Sequence, residues 1–224
     1  MPLNTKDIRK AVVDAKEKKK KGNFTQTIDL SIVLKDIDLK QPKNRINMEL
    51  VLPNEHRKKL SNICVCTTNG DFALRAKQEG LTVINKEALT ELQKDRSAAR
   101  KFVKSYEFFI ASVEVMPLIA RSLGPVLGPR GKMPLGPPKG AGIVPPTTDI
   151  KPLIDRYQKT IRIKMRKSLQ INCPVGNEKM DEDKIVENIS TVINFLENNL
   201  EKGIRNLKNI SIKTTMGIPV KIEL

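Results

Sequence analysis

Three cations lie among the glycines and prolines of PVLGPRGKMPLGPPKGAGIVPP, residues 125–146, where a phosphate-binding loop is the first chemistry to consider. A Walker loop requires the pattern GxxxxGK followed by Ser or Thr, because its backbone amides wrap the phosphates and its hydroxyl holds magnesium. Here the GK pair is Gly131-Lys132, but valine stands at position 126 and methionine at 133. The motif therefore fails at both ends.

The same segment has a second interpretation as a surface. Proline removes backbone donors and glycine permits positive φ, so we predict a surface loop that joins neither a helix nor a central strand. It is either a flexible linker or a stiffened secondary basic loop that offers Arg130, Lys132 and Lys139 to phosphates.

The cysteines and the histidine do not indicate catalysis. Cys64 and Cys66 are two residues apart in CVC, which is not a CxxC motif; on a strand they share a face, so we expect them in a core as small hydrophobes. With Cys173 the cysteines number three, so they cannot all pair within the chain. His56, in NEHRKK, is predicted to lie on the surface, without a second histidine or an acid cluster to form a metal site or a nucleophile–base pair. We predict no catalytic residue, no metal and no cofactor.

Charge indicates the partner instead. The 224 residues include 41 Lys and Arg against 25 Asp and Glu, a net charge of +16 whose natural partner is a polyanion. No apolar run approaches the roughly 20 residues of a membrane span, and MPLNTKDIRK lacks the apolar centre of a signal peptide. These patterns predict a cytoplasmic protein without a membrane partner.

Two kinds of periodicity follow one another along the chain. TIDLSIVLK and INMELVL alternate like half-buried strands, as do IRIKM and LQINC near the other end, while residues 4–21 and MDEDKIVENISTVINFLENNL have helical spacing. Between them, from Ile63, short apolar strands alternate with helices, which implies a parallel sheet. The predicted fold is a discontinuous α+β domain with an antiparallel sheet, residues 1–55 and 160–224, and an inserted three-layer, Rossmann-like α/β domain, residues 56–159. The outer domain holds 23 basic and 16 acidic residues and the insert 18 and 9, so charge alone assigns polyanion binding to the insert.

Several blocks carry a resemblance to a known family. LGPRGKMP resembles the signature of the ribosomal protein L1 family, and NFTQTIDL, NRINMELVLP, PVGNEKM and TTMGIPVKI match its other blocks in order and spacing, with wording similar to the archaeal branch. The resemblance implies a non-enzymatic protein of the mobile stalk of the large ribosomal subunit, with the split fold predicted above. It also implies a cytoplasmic protein that is bound to the ribosome and is a monomer when free. Its implied partners are 23S rRNA, tRNA in the exit site and other ribosomal components. Its implied role is to assist release of deacylated tRNA. Members also repress translation by binding their own mRNA.

The family's RNA surface maps onto two segments of this sequence, one after the first helix and one at TTMG, with further cations and an amide on the returning strands. The residues implied are Phe24, Thr25, Thr27, Asp29, Lys164, Arg166, Asn172, Thr214, Thr215, Met216 and Gly217. Hydroxyls and a bare glycine backbone suit ribose contacts, because folded RNA is recognised through shape and 2′-hydroxyls. Without the other blocks, TTMG is more typical of an ordinary strand end than of an RNA contact.

Two rival functions stay open at this point. One is a nucleotide-binding enzyme that uses the α/β insert, against which the absent phosphate motifs count. The other is a free translational repressor that never joins the ribosome.

Overall fold

The computed structural model of this chain describes residues 5–18, 22–41, 44–57, 62–165 and 168–222. The backbone divides into an outer unit, Met1–Lys59 with Gln158–Leu224, and an inserted unit, Leu60–Tyr157. Divided in this way, the outer unit holds 27 basic and 16 acidic residues and the inserted unit 14 and 9. Most of the net positive charge therefore belongs to the outer unit.

The helices are, in chain order, α1 (Thr5–Glu17), α2 (Gly70–Gln78), α3 (Lys86–Lys94), α4 (Arg96–Ser105), α5 (Met116–Ser122), α6 (Gly124–Arg130), α7 (Ile150–Gln158) and α8 (Glu182–Asn199). The strands are β1 (Thr27–Leu34), β2 (Ile46–Val51), β3 (Ile63–Cys66), β4 (Thr82–Ile84), β5 (Phe108–Ser112), β6 (Ile143–Val144), β7 (Thr160–Met165), β8 (Gln170–Asn177), β9 (Leu207–Thr214) and β10 (Val220–Ile222).

An antiparallel sheet of four strands, in the order β10–β9–β1–β8, forms the centre of the outer unit. Burial alternates strictly along β1, so Ile28, Leu30 and Ile32 pack inward in a core shared with α1 and α8. The strands come from both ends of the chain, and β2 pairs with β7 in a separate two-stranded sheet over the same core. The predicted antiparallel α+β class is confirmed.

The inserted unit is built on a parallel sheet in the order β4–β3–β5–β6. Cys64 and Cys66 pack on one face with residues of α3, α4, α5 and α6, and Ile63 and Val65 pack on the other face with residues of α2 and α7. A strand buried on both faces is typical of α/β folds. The α/β class of the insert and the core position of both thiols are confirmed.

The prediction that residues 125–146 form a surface loop outside any helix is wrong in its first third, because residues Gly124–Arg130 form α6. Near its end the segment forms β6, which is an edge strand and not a central one. Pro125 occupies the first turn, where a backbone donor is not needed, and the helix is so short that Pro129 removes one hydrogen bond at most. Val126 and Leu127 are buried, and Gly131 ends the helix with φ of 68°. The buried valine and leucine offset the poor helix propensity of their neighbours.

The run RSAARKFVK forms most of helix α4, and the side chain of Asp95 before it accepts from the backbone N–H of Ser97 and Ala98. Two smaller predictions also need correction. Helix α1 ends at Glu17, short of the predicted end at residue 21, which lies outside the described residues. His56 is 1% exposed rather than on the surface, and burial, with the charge of Arg57, lowers the pKa of its imidazole to about 4.

Candidate nucleic-acid interface

Polar side chains cover the outward face of the four-stranded sheet. This open face consists of Asp29, Ser31, Gln170, Asn172, Ser211 and Lys213. In the strand register Asp29 lies between Lys213 and Pro174, and the next outward residue of β1, Ser31, lies between Ser211 and Asn172. The predicted outward orientation of Asp29 is confirmed, and these residues line a shallow concavity of about 420 Å³.

The open face carries both donors and acceptors. The amide nitrogen of Gln170 donates to Oγ of Ser31 at 3.0 Å and to Oδ1 of Asn172 at 3.1 Å. With those two oxygens engaged, the Ser31 hydroxyl proton and the Asn172 amide protons remain as donors toward a ligand. Partial burial raises the pKa of the Asp29 carboxyl, and the positive charges of Lys213 and Arg57 oppose that rise.

Thr27 and Thr215 join the start of β1 to the segment that follows β9. The backbone N–H of Thr215 donates to the carbonyl of Thr27 at 3.0 Å, and the N–H of Thr27 donates to the Thr215 hydroxyl at 3.2 Å. The hydroxyl of Thr215 is thus fixed in place while its side chain stays exposed. Both threonines lie at one end of the open face, so the start of β1 and the segment after β9 are brought together there.

Gln26 is a residue of this site that sequence reasoning missed. Its side chain is 1% exposed, and its Oε1 accepts from the backbone N–H of Met216 at 3.0 Å. Its carbonyl accepts from the N–H of Glu178 at 3.0 Å. Gln26 therefore ties loop 22–26 to turn 214–217 and to the turn after β8. The signal was available, because residue 26 continues the inward parity of Ile28 and Leu30, where a polar side chain is out of place.

The segments held by Gln26 display apolar side chains. Phe24 is 53% exposed and Met216 is 55% exposed, and Thr25 beside Phe24 is half-buried. Large hydrophobic side chains exposed beside a polar face are typical of a surface that contacts another molecule.

Thr214 and Gly217 have roles that differ from the sequence expectation. Thr214 was expected to offer its hydroxyl to RNA, but its side chain is fully buried. A Cβ on Gly217 would lie 2.2 Å from the Thr214 hydroxyl oxygen and 3.4 Å from the carbonyl of Lys18. Glycine is required here by packing inside the turn, and Thr214 supports that turn from below.

Lys164 does not join the open face. It lies on β7 opposite Asn47, in the two-stranded sheet, and it is half-buried. Arg166 lies outside the described residues. Asn172, by contrast, is exposed on the open face, where it lies on the edge strand β8 opposite Ser31.

The three cations of the secondary basic loop are not one phosphate site. The ammonium of Lys132 donates to the carbonyl of Val103 at 3.0 Å and also to the carbonyl of Tyr106, so it caps the carboxyl end of α4. Burial and the charge of Arg130 lower the pKa of Lys132. Arg130 donates to the carbonyl of Arg100 at 3.0 Å, while Lys139 is exposed in the loop beyond. The expectation that Lys132 awaits a phosphate is corrected: its partners are backbone carbonyls.

Metal ligands are not clustered in the part of the chain that the structure describes. Among the described residues, no group of three or more His, Cys, Asp or Glu side chains is placed to hold a metal ion. None of their helices is both long and apolar enough to cross a membrane.

Comparison with known proteins gives one consistent family. Residues 13–218 match the family described as ribosomal protein L1p/L10e. The chain is 43% identical over 224 residues to large ribosomal subunit protein uL1 of Thermococcus kodakarensis, covering 100% of both chains. It is 42% identical over 221 residues to uL1 of Methanothermococcus thermolithotrophicus, covering 99% of this chain and 100% of the relative. With uL1 of Pyrococcus abyssi the identity is 41% over 224 residues, which covers 100% of this chain and 98% of that protein.

Proposed function

Because the chain belongs to the ribosomal protein L1p/L10e family, we propose that this constituent of the large ribosomal subunit binds a folded segment of 23S rRNA through the open face and turn 214–217. Family membership makes it an archaeal-type structural protein of the ribosome in the cytoplasm, and not an enzyme. The choice of surface is our own inference from the geometry of the outer unit.

The observation that supports this surface best is the set of hydrogen bonds made by Gln26. A buried amide that holds two displayed segments fixes their backbone before any ligand arrives, so less conformational entropy is lost on binding. The exposed Phe24 and Met216 are carried by those two segments. A surface that is rigid in its backbone and apolar at its tips suits a folded RNA with unstacked bases.

The chemistry of the open face fits ribose more closely than bare phosphate. A 2′-hydroxyl both donates and accepts, and here it meets the Asp29 carboxylate as an acceptor and the Ser31 and Asn172 protons as donors. Lys213, beside Asp29, supplies a phosphate partner. Phe24 and Met216 offer stacking and adaptable contact to an unpaired base.

We extend the proposal to the functions that the family resemblance implies. The bound rRNA segment belongs to the mobile stalk beside the exit site, the protein assists release of deacylated tRNA, and a similar structure in its own mRNA binds the same open face. On this proposal the two RNAs compete for one surface, so the mRNA is bound only by protein in excess of the rRNA sites.

Crosslinking in cells tests the proposal directly. RNA crosslinked to the protein by ultraviolet light is sequenced, and the crosslinked amino acids are mapped by mass spectrometry. We expect crosslinks from Phe24 or Met216 to one folded region of 23S rRNA. Crosslinks confined to surfaces away from the open face and turn 214–217 would contradict the proposal, and persistent absence of the protein from large subunits in sucrose gradients would favour a free repressor.

A further inference from the structure

The net positive charge of the inserted unit lies in one segment of its sequence. Residues 96–132 contain seven basic and two acidic residues, whereas the rest of Leu60–Tyr157 contains seven of each. All of the net charge of this unit therefore comes from the segment that forms α4, β5, α5 and α6.

Helix α4 concentrates that charge on its solvent side. The α4 basic face consists of Arg96, Arg100, Lys101 and Lys104 with Arg130 from the end of α6, and all five are exposed. Residues 96, 100 and 104 follow one another at four-residue intervals, about 6 Å apart along the helix axis. The opposite side of α4 is buried through Ala99 and Val103.

Neighbouring groups fix this face without neutralising it. Helix α4 contains no acidic residue, and the carboxylate of Asp95 is occupied by the first backbone amides of the helix. Arg130 bonds to the carbonyl of Arg100, which joins α6 to α4. None of the ion pairs found among the described residues includes a cation of the α4 basic face.

We propose that the α4 basic face binds the phosphate backbone of an RNA double helix without regard to sequence. A straight helix presents its cations at fixed intervals, which matches the regular order of phosphates along a strand better than the irregular order of acids on a protein. Three of the five cations are arginines, whose planar guanidinium groups bind phosphate oxygens in pairs. The base edges of double-stranded RNA lie in a deep groove, so a ligand of this face is recognised by charge and shape alone. This surface is separate from the rRNA site proposed for the outer unit.

Matched charge removal in the full-length protein tests the inference. The patch variant carries Arg96→Gln, Arg100→Gln and Lys104→Gln. The control carries Lys77→Gln, Lys86→Gln and Lys139→Gln, which removes the same charge from exposed positions of the same unit outside the face. The probe is a short blunt-ended RNA duplex of arbitrary sequence, titrated over a range of salt concentrations.

We expect the patch variant to lose about tenfold or more in duplex affinity and its salt slope to fall by about 2 to 3, because each lost phosphate contact removes about one released counterion. The control should lose clearly less duplex affinity. Like the wild type, both variants should still bind the rRNA site more tightly than a duplex of the same length. Should the patch variant fold poorly, Lys101→Gln and Lys104→Gln made singly should each lower the slope by about 1.

Three outcomes would overturn the inference. Equal losses in patch variant and control would mean that only total charge matters, and an unchanged slope would mean that the face binds nothing. Competition by polyglutamate as strong as that by the duplex, at equal charge concentration, would mean that the partner is an acidic protein. If both the patch variant and the control lost the preference for the rRNA site, the result would count against the rRNA site of the outer unit and not against the α4 basic face.

Discussion

The hydroxyl oxygen of Thr214 fills the space beside Gly217, where a Cβ would lie only 2.2 Å away. Gly217→Ala must therefore push the turn away from its support, and we expect a loss of about 1–3 kcal/mol in unfolding free energy together with weaker rRNA binding. Adding Thr214→Ala removes the clashing oxygen, which has no hydrogen-bond partner among the described residues. Urea unfolding and filter binding of the single and double variants measure both effects. If the double variant regains stability but not RNA affinity, glycine is needed for approach of the RNA as well as for packing.

Gln26→Met should loosen turn 214–217, because a side chain of similar size then leaves the backbone N–H of Met216 without its acceptor. The cost of such an unsatisfied buried donor is about 1–3 kcal/mol. Hydrogen exchange should show faster exchange at the Met216 amide, while the amides of β1 and β9 change less. Gln78→Met, at an exposed position of α2, is the matched control. Normal rRNA affinity in the Gln26 variant, despite a mobile turn, would refute the role that we give to preorganisation.

Thr215→Val should weaken binding to the rRNA site by roughly 1–3 kcal/mol, since it removes an exposed hydroxyl that we propose to contact the RNA and that exchanges hydrogen bonds with the backbone of Thr27. Thr215→Ser keeps the hydroxyl and should bind nearly as well as the wild type. Electrophoretic mobility shifts with the rRNA site and with random RNA separate specific from general effects. Equal losses of Thr215→Val on both RNAs would be inconsistent with a specific contact.

Asp29→Asn should make the protein more stable than the wild type above the pH range in which the Asp29 carboxyl titrates. Burial raises the folded-state pKa of that carboxyl above its ordinary value of 3.8, so the wild type loses stability as pH rises from 3.8 through the folded-state pKa. The neutral amide does not lose stability in this way, so the stability difference between variant and wild type should grow over that range and stay constant once the carboxyl is ionised in both the folded and the unfolded chain. Urea unfolding at several pH values measures the difference. If the variant instead became less stable than the wild type as pH rises, the folded protein would be stabilising the Asp29 carboxylate, which would contradict the prediction.

Replacing residues 56–159 by a short glycine-containing bridge should leave a folded outer domain that binds the rRNA site. Val51 and Thr160 are register partners in β2 and β7, and the N–H of Leu52 donates to the carbonyl of Lys159 at 2.9 Å. The two ends are thus as close as the strands of a hairpin, which a few residues can connect. Circular dichroism and filter binding check the outcome. A natively folded product that fails to bind would move the site into residues 56–159.

The periodicity of the sequence was enough to predict the framework, and it held more information than the site prediction used. The alternation that placed Ile28 inward and Asp29 outward also assigns Gln26 to the inward side, and the alternation of Ile210 and Ile212 along β9 does the same for Thr214; both residues are buried. Thr214 was predicted to contact RNA because it carries a hydroxyl, although its position in the alternation places the side chain inward. A polar residue at an inward position of a strand is thus a signal that the sequence alone contains.

Other features had no local signal. Lys132 reaches the carbonyl of Val103, 29 residues earlier, and this contact depends on how α4 and α6 pack together. The charged neighbours of His56 indicated a surface position, yet burial is decided by the tertiary fold. Helix α6 has weak propensity throughout and forms because Val126 and Leu127 complete a core.

The three cysteines, Cys64, Cys66 and Cys173, are buried, and their surroundings raise the pKa of Cys64 and raise that of Cys173 to about 12. The thiolate is the nucleophile that attacks a maleimide, and the thiolate is disfavoured at Cys64 and Cys173, while Cys66 is shielded by burial. A single cysteine introduced at an exposed position should therefore take up a maleimide dye selectively in the otherwise natural chain. Fluorophores can then be attached to either unit for single-molecule measurements without first removing a native thiol.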